Sequence, residues 1–259
     1  MKDQRRIIIG DIHGHYDGLM LLLQAISPSP QDKVYFLGDL IDRGPKSAQV
    51  VEFVQNSPYD CVLGNHEQLM LDAMPGDEIN EQAWQGWLYS GGQATIASYI
   101  DAGMMPNQHL EWMRSLPLYI DLGDIWLVHA GVNPKLPLEK QSVEQFCWIR
   151  GEFHKYPTAY FKNKLIITGH TITFTFEGIK PGELVQGPGW LDIDTGVYHH
   201  KSGWLTGYDI SYRRVYQVNV FSSTVRILPF DEIIKPVPTP HSSYAPQIFR
   251  EVLRAMNRH

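Results

Sequence analysis

Six side chains with metal-ligand chemistry follow short apolar runs and sit beside glycine-containing turns. Asp11 and His13 follow Ile7-Ile8-Ile9, Asp39 follows residues 34–37, and Asn65 follows Val62-Leu63. His129 ends residues 125–128, and His170 follows Ile166-Ile167. Two carboxylates, one carboxamide and three imidazoles make a mixed oxygen and nitrogen set. Six protein ligands are too many for one catalytic ion that must keep an open position. Shared between two divalent ions, with one carboxylate bridging, they leave room for water and substrate. Two ions about 3.5–4 Å apart can clamp an in-line displacement at phosphorus. The absence of thiolates argues against a structural zinc site, and the donors suit Mn²⁺, with Fe or Zn²⁺ as alternatives, better than Ca²⁺ or Mg²⁺ alone. Taken singly, an Asp or Asn beside Gly is ordinary turn chemistry. A succession of such loops, each at the end of an apolar strand, is not.

The elements that must position these residues are legible in outline. The chain opens with a strand near residues 6–10, a helix over residues 16–25 stopped by Ser27-Pro28-Ser29-Pro30, and a second strand over residues 33–37. Pro45 opens a helix reaching about Asn56, and Cys61-Val62-Leu63 is a third strand. Strands alternating with helices predict a parallel sheet with right-handed crossovers. In open α/β sheets ligands bind outside the carboxyl ends of the strands, where the candidate ligands fall. Residues 68–115 read as helical, with a break at Gly91-Gly92. Trp84, Trp87 and Tyr89 read as packing of a helix pair or as a wall of a substrate groove. Beyond residue 118 the pattern changes to strands: a hairpin around Gly123-Asp124, then residues 165–168, 190–193, 215–220 and 225–228. Their spacing predicts a second, mixed sheet. Residues 236–244 are rich in Pro, Ser and His and read as an exposed tail, followed by a short helix over 248–256. The division is therefore a catalytic domain over residues 1–235 and a C-terminal tail over 236–259.

Composition sets the outer bounds. The 259 residues are 43% hydrophobic with a net charge of -6, so a general nucleic-acid binder is not expected. No apolar run approaches the roughly 18 residues of a membrane span. Two cysteines, Cys61 and Cys147, read as buried free thiols, and a reducing cytoplasm fits. His15, His109, His154, His199 and His200 read as solvent-facing or hydrogen-bonded and stay outside the ligand set.

The motifs Gly10-Asp11-Ile12-His13-Gly14, Gly38-Asp39-Leu40-Ile41-Asp42-Arg43-Gly44 and Gly64-Asn65-His66-Glu67 stand in that order. They are followed by His129-Ala130-Gly131, Trp148-Ile149-Arg150, Gly169-His170-Thr171 and Asp194-Thr195-Gly196. In these the sequence resembles the phosphoprotein phosphatase family of calcineurin-like metallophosphoesterases, and most closely the compact bacterial and bacteriophage serine/threonine phosphatases. The resemblance implies an α/β fold of two mixed β-sheets sandwiched between helical layers. It assigns Asp11, His13 and bridging Asp39 to a first metal, and Asp39, Asn65, His129 and His170 to a second. Arg43 and Arg150 would grip phosphate oxygens, and His66, oriented by Asp42, would face the leaving group.

The activity so implied is phosphomonoester hydrolysis, with a metal-bridging hydroxide as nucleophile and a phosphorylated protein or peptide as substrate. The alternative is a symmetrical dinucleoside polyphosphate hydrolase, such as one acting on diadenosine tetraphosphate. Enzymes of that kind commonly lack the aspartate found here as Asp42. An alkoxide from Ser or Thr leaves poorly and needs an acid, so Asp42 with His66 favours the phosphatase reading. A non-catalytic binding module is the third possibility, and no ligand or arginine is missing to support it.

Overall fold

A computed structural model describes residues 4–76 and 78–237. The first half builds as the sequence predicts. Strands β1 (Arg6–Ile9), β2 (Lys33–Phe36) and β3 (Asp60–Cys61) are parallel, joined by helices α1 (Tyr16–Ile26) and α2 (Ser47–Gln55). Helix α3 (Asn65–Ala73) begins at Asn65 itself, so Asn65 and His66 lie in a helical first turn rather than in a loop. An insertion of α4 (Glu81–Trp87), a π turn (Leu88–Gly92) and α5 (Gln93–Ala102) follows, then α6 (Asn107–Arg114). The predicted break at Gly91-Gly92 falls inside that π turn, where Gly91 takes φ +116°.

The second sheet has the order β12-β7-β8-β6-β5-β4. Its strands are β4 (Tyr119–Asp121), β5 (Ile125–Val128), β6 (Leu165–Thr168), β7 (Leu184–Gly187), β8 (Trp190–Asp192) and β12 (Ile234–Pro236). Short helices α7 (Val143–Trp148) and α8 (Gly151–His154) lie between β5 and β6. Residues 215–220 and 225–228, expected in this sheet, belong to the first one. There β9 (Trp204–Asp209), β10 (Arg214–Asn219) and β11 (Thr224–Pro229) form an antiparallel meander. The reason is β9, which pairs antiparallel with the free edge of β1, Ile8 opposite Tyr208. Its sequence Trp-Leu-Thr-Gly-Tyr-Asp has no apolar run to announce a buried strand.

Side-chain alternation explains why two sheets stack. Ile7 and Ile9 of β1 pack with Leu19, Leu22 and Val50 on the helix side, while Ile8 packs with Leu127, Ile167 and Tyr208 between the sheets. In β5, Ile125 and Leu127 face that same seam, and Trp126 and Val128 face outwards. Period-two alternation in strands apolar on both faces places one sheet against the other and helices outside. The fold is thus two mixed sheets between helical layers. Both cysteines are buried and unpaired. Of the tail expected from residue 236, Pro236 closes β12 and residues 238–259, with the helix expected there, lie outside the described residues.

Candidate metal centre

The ends of β1, β2, β5, β6 and β8 meet at one edge of the sandwich, and the loops leaving them carry the site. Backbone geometry there is unusual. His13, Asp39, Asp42, Arg43 and His170 all have φ between +46° and +72°. Left-handed backbone outside glycine costs about 1–3 kcal/mol and persists only where surroundings over-determine it. Here Ile12 and His13 both donate their N–H to the Asp39 carbonyl, at 3.0 and 2.9 Å. Gly169 is required by close approach, since a Cβ there would fall 2.1 Å from Asp11 Oδ1.

All six expected ligands come together and are buried, none more than 5% exposed. Asp39 is central. Its Oδ2 lies 3.6 Å from His13 Nε2 and 3.9 Å from His66 Nε2, and its Oδ1 lies 3.3 Å from His129 Nε2. It belongs to two clusters of potential ligand atoms, one with His13 and His66, the other with His129 and His170. Asp11 stands at the margin, its Oδ2 4.0 Å from His13 Nε2. His66, expected at the leaving group, therefore also stands within reach of the first cluster.

Each ligand imidazole gives its other nitrogen to a backbone carbonyl. His13 Nδ1 donates to Ile41 O at 2.9 Å, His129 Nδ1 to Leu37 O at 2.7 Å, and His170 Nε2 to Trp148 O at 3.2 Å. These bonds assign the tautomers and aim one lone pair of each ring inwards, as metal-binding histidines require. Burial holds all three imidazoles neutral by pushing their pKa down. Two of those lone pairs meet Asn65 Oδ1, at 2.8 Å from His129 Nε2 and 2.7 Å from His170 Nδ1. Burial and the neighbouring Asp194 and Asp39 carboxylates push Asp11 well up, and burial lifts Asp194 to about 6. Converging lone pairs and crowded carboxylates, with neutral rings between them, form a donor set that divalent cations fit.

The other expected residues ring this centre. A cavity of about 160 Å³ is lined by Asp39, Asn65, His66 and His170, the two arginines Arg43 and Arg150, and also Asp194 and Tyr198. Arg150 Nη1 donates to His170 O and Thr171 Oγ1, at 2.9 and 3.1 Å. Arg43 Nη1 donates to His13 Nε2 at 2.7 Å, and its guanidinium stacks over the Tyr198 ring at 4.0 Å. His66 Nδ1 donates to Asp42 Oδ2 at 2.6 Å, and its Nε2 is left on the cavity side.

Sequence reasoning passed over two residues of consequence. Glu67 is fully buried, and its carboxylate accepts N–H bonds from Asp39, Leu40, Ile41 and Gly64 at 2.8–3.3 Å. Its place three residues after Gly64, at the third position of a helix start, was the available signal. Asp194, two residues past β8, stands beyond its strand as the candidate ligands stand beyond theirs, and lines the cavity. His109, left out of the ligand set, is buried between the Tyr99 hydroxyl and the Glu52 carboxylate.

Residues 5–174 match the calcineurin-like phosphoesterase family. The chain belongs to that family, whose members are metal-dependent phosphoester hydrolases. It is 34% identical over 132 residues to a symmetrical bis(5′-nucleosyl)-tetraphosphatase of Dechloromonas aromatica, covering 49% of this chain but only 44% of that relative. It is 29% identical over 228 residues to an asymmetrical bis(5′-nucleosyl)-tetraphosphatase of Bacillus velezensis, 78% of this chain and 87% of the relative. Among solved structures, a cold-active protein tyrosine phosphatase superposes with TM-score 0.55 at 18% identity, over 90% of this chain and 80% of that one. At that identity the likeness shows the fold. Among the described residues no helix is long and apolar enough to cross a membrane.

Proposed function

We propose that this metallophosphoesterase hydrolyses dinucleoside tetraphosphates, with diadenosine tetraphosphate as the reference substrate. The observation that carries this reading is the 228-residue match to the Bacillus velezensis tetraphosphatase, which extends over most of both chains. The resemblance gives Asp11, His13 and Asp39 to one divalent ion, and Asp39, Asn65, His129 and His170 to the other; the two clusters that share Asp39 support a paired site. When bound, two such ions supply Lewis acidity and bring the pKa of water near 7. The protein's own part is to orient and neutralise. The single lone pair of His13 Nε2 cannot serve both a metal and Arg43. A cation held by His13 Nε2 would take that acceptor from Arg43, whose guanidinium, stacked on Tyr198, would then be free to receive phosphate oxygens. Arg150, tethered to the His170 loop and lining the same cavity, would do the same.

A second reading, hydrolysis of phosphoserine or phosphothreonine in a protein or peptide, is favoured by the Asp42–His66 hydrogen bond. An alkoxide leaving group needs a proton far more than a nucleotide phosphate does, and a positioned acid contributes about 10²–10⁴-fold. The test is a substrate panel on Mn²⁺-loaded protein: diadenosine tetraphosphate beside phosphoserine, phosphothreonine and phosphotyrosine peptides. The tetraphosphate should have the highest kcat/KM. A phosphopeptide preferred by tenfold or more would replace the first reading with the second.

A further inference from the structure

Asp42 is held from outside the metal loops, by the helical insertion that follows α3. Trp87, at the end of α4, donates its Nε1–H across both carboxylate oxygens, at 3.1 Å to Oδ1 and 3.0 Å to Oδ2. Thr95, in α5, donates its hydroxyl to Oδ1 at 2.6 Å and accepts the Asp42 N–H at 2.9 Å. Asp42, Trp87 and Thr95 are each no more than 1% exposed. The two glycines between these helices make the approach possible. A Cβ on Gly92 would come within 2.6 Å of the Trp87 ring, and one on Gly91 within 2.8 Å of Arg43 Cγ. Gly91 O also accepts the Arg43 N–H at 3.2 Å. The π turn therefore lays the indole against the backbone and sets its N–H on one carboxylate.

We propose that Trp87 and Thr95 are positioning residues for leaving-group protonation, fixing Asp42 and through it the ring of His66. The inference rests on His66 delivering the proton to the leaving oxygen. Asp42 has two carboxylate oxygens, and an unrestrained carboxylate rotates. Thr95 takes Oδ1, Trp87 spans both oxygens and fixes the carboxylate plane, and Oδ2 is thereby turned to His66 Nδ1, which leaves Nε2 facing the cavity. Neither residue lines that cavity, so neither acts on substrate directly. Packing alone does not require this arrangement, because a phenylalanine would fill much of the same space without an N–H.

The experiment compares two esters on Mn²⁺-loaded enzyme: a phosphoserine peptide, whose alkoxide leaves badly, and nitrophenyl phosphate, whose phenolate leaves well. Trp87→Phe and Thr95→Val each remove one donor to Asp42; Thr95→Ser keeps the hydroxyl; Ile100→Ala, on the exposed surface of the same insertion, is the control. His66→Asn is measured alongside. Trp87→Phe and Thr95→Val should lower kcat on the phosphopeptide on the order of tenfold and on nitrophenyl phosphate less than about twofold, the selectivity of a weakened acid. Thr95→Ser should restore the ratio, Ile100→Ala should leave it unchanged, and metal content should stay at the wild-type value. Equal losses on both esters in Trp87→Phe and Thr95→Val, with His66→Asn still selective, would overturn the positioning role alone. Equal losses in His66→Asn as well would overturn both it and the acid reading. A fall in bound metal in Trp87→Phe with parallel losses would likewise assign the residue to packing.

Discussion

Asp39 is the residue on which both ligand clusters depend. One oxygen faces His129, the other faces His13 and His66, and the side chain is almost wholly buried. Asp39→Asn keeps the shape and removes the charge that two ions would share. It should abolish measurable turnover and lower metal affinity at least about 100-fold, since even residues that merely orient ligands cost 10–100-fold. Elemental analysis beside a rate assay checks this, and a variant with two ions and near-normal turnover would remove the shared-carboxylate assignment. Arg150 gives the complementary case. It bonds the His170 carbonyl and is itself exposed, so Arg150→Ala should keep both ions while weakening inhibition by free phosphate about tenfold or more. Loss of one bidentate charge contact is worth roughly 1.5–3 kcal/mol. An unchanged phosphate inhibition constant would show that Arg150 only braces its loop.

Loops converge correctly here because one helix start ties them together. Glu67 Oε1 accepts from Leu40 and Ile41, and Oε2 from Asp39 and Gly64, so a single carboxylate clamps the β2 loop to the first turn of α3. Glu67→Gln puts an amide NH₂ against two backbone N–H groups. It should cost about 1–3 kcal/mol of stability, the price of unsatisfied buried donors, and loosen metal binding with it. Denaturant unfolding of the metal-free protein measures the first effect; a variant as stable as wild type would show that the loops hold their strained backbone without the clamp. The sequence exposed the candidate ligands that the structure brings together because polar residues interrupt apolar strands at fixed points. It could not expose the clamp, since Glu67 in a helix start looks like any capping glutamate. The indole of Trp87 was likewise visible as an aromatic, yet its bond to Asp42 spans 45 residues and depends on a π turn. β9 was hidden for another reason: Trp-Leu-Thr-Gly-Tyr-Asp has neither an apolar run nor a clear alternation, and it becomes a strand where β1 offers an edge.

At the scale of the whole molecule, the site lies where the two sheets meet. Asp11 and Asp39 come from the first sheet's loops and Asn65 from the first turn of α3 beyond β3, while His129, His170 and Asp194 follow strands of the second sheet. Without cations, burial forces neutral imidazoles against mutually repelling carboxylates, and Asp11 and Asp194 are both pushed upward. Divalent ions held there would offset that repulsion and tie the two sheets together, and the residues that would hold them converge only in the folded chain. A ligand present at about 100 times its Kd stabilises the native state by about 2.7 kcal/mol. For a domain of this size each kcal/mol moves Tm by about 2–4 °C. Chelation should therefore abolish activity and lower Tm by roughly 5–10 °C, and Mn²⁺ should restore both with about two ions per chain. Asp39→Asn should start near the chelated Tm and respond little to Mn²⁺, which separates site binding from loose surface association. Calorimetry with and without chelator decides the matter. A Tm indifferent to chelation in active protein, or saturation at a single ion, would mean that the six ligands do not form a shared centre between the sheets.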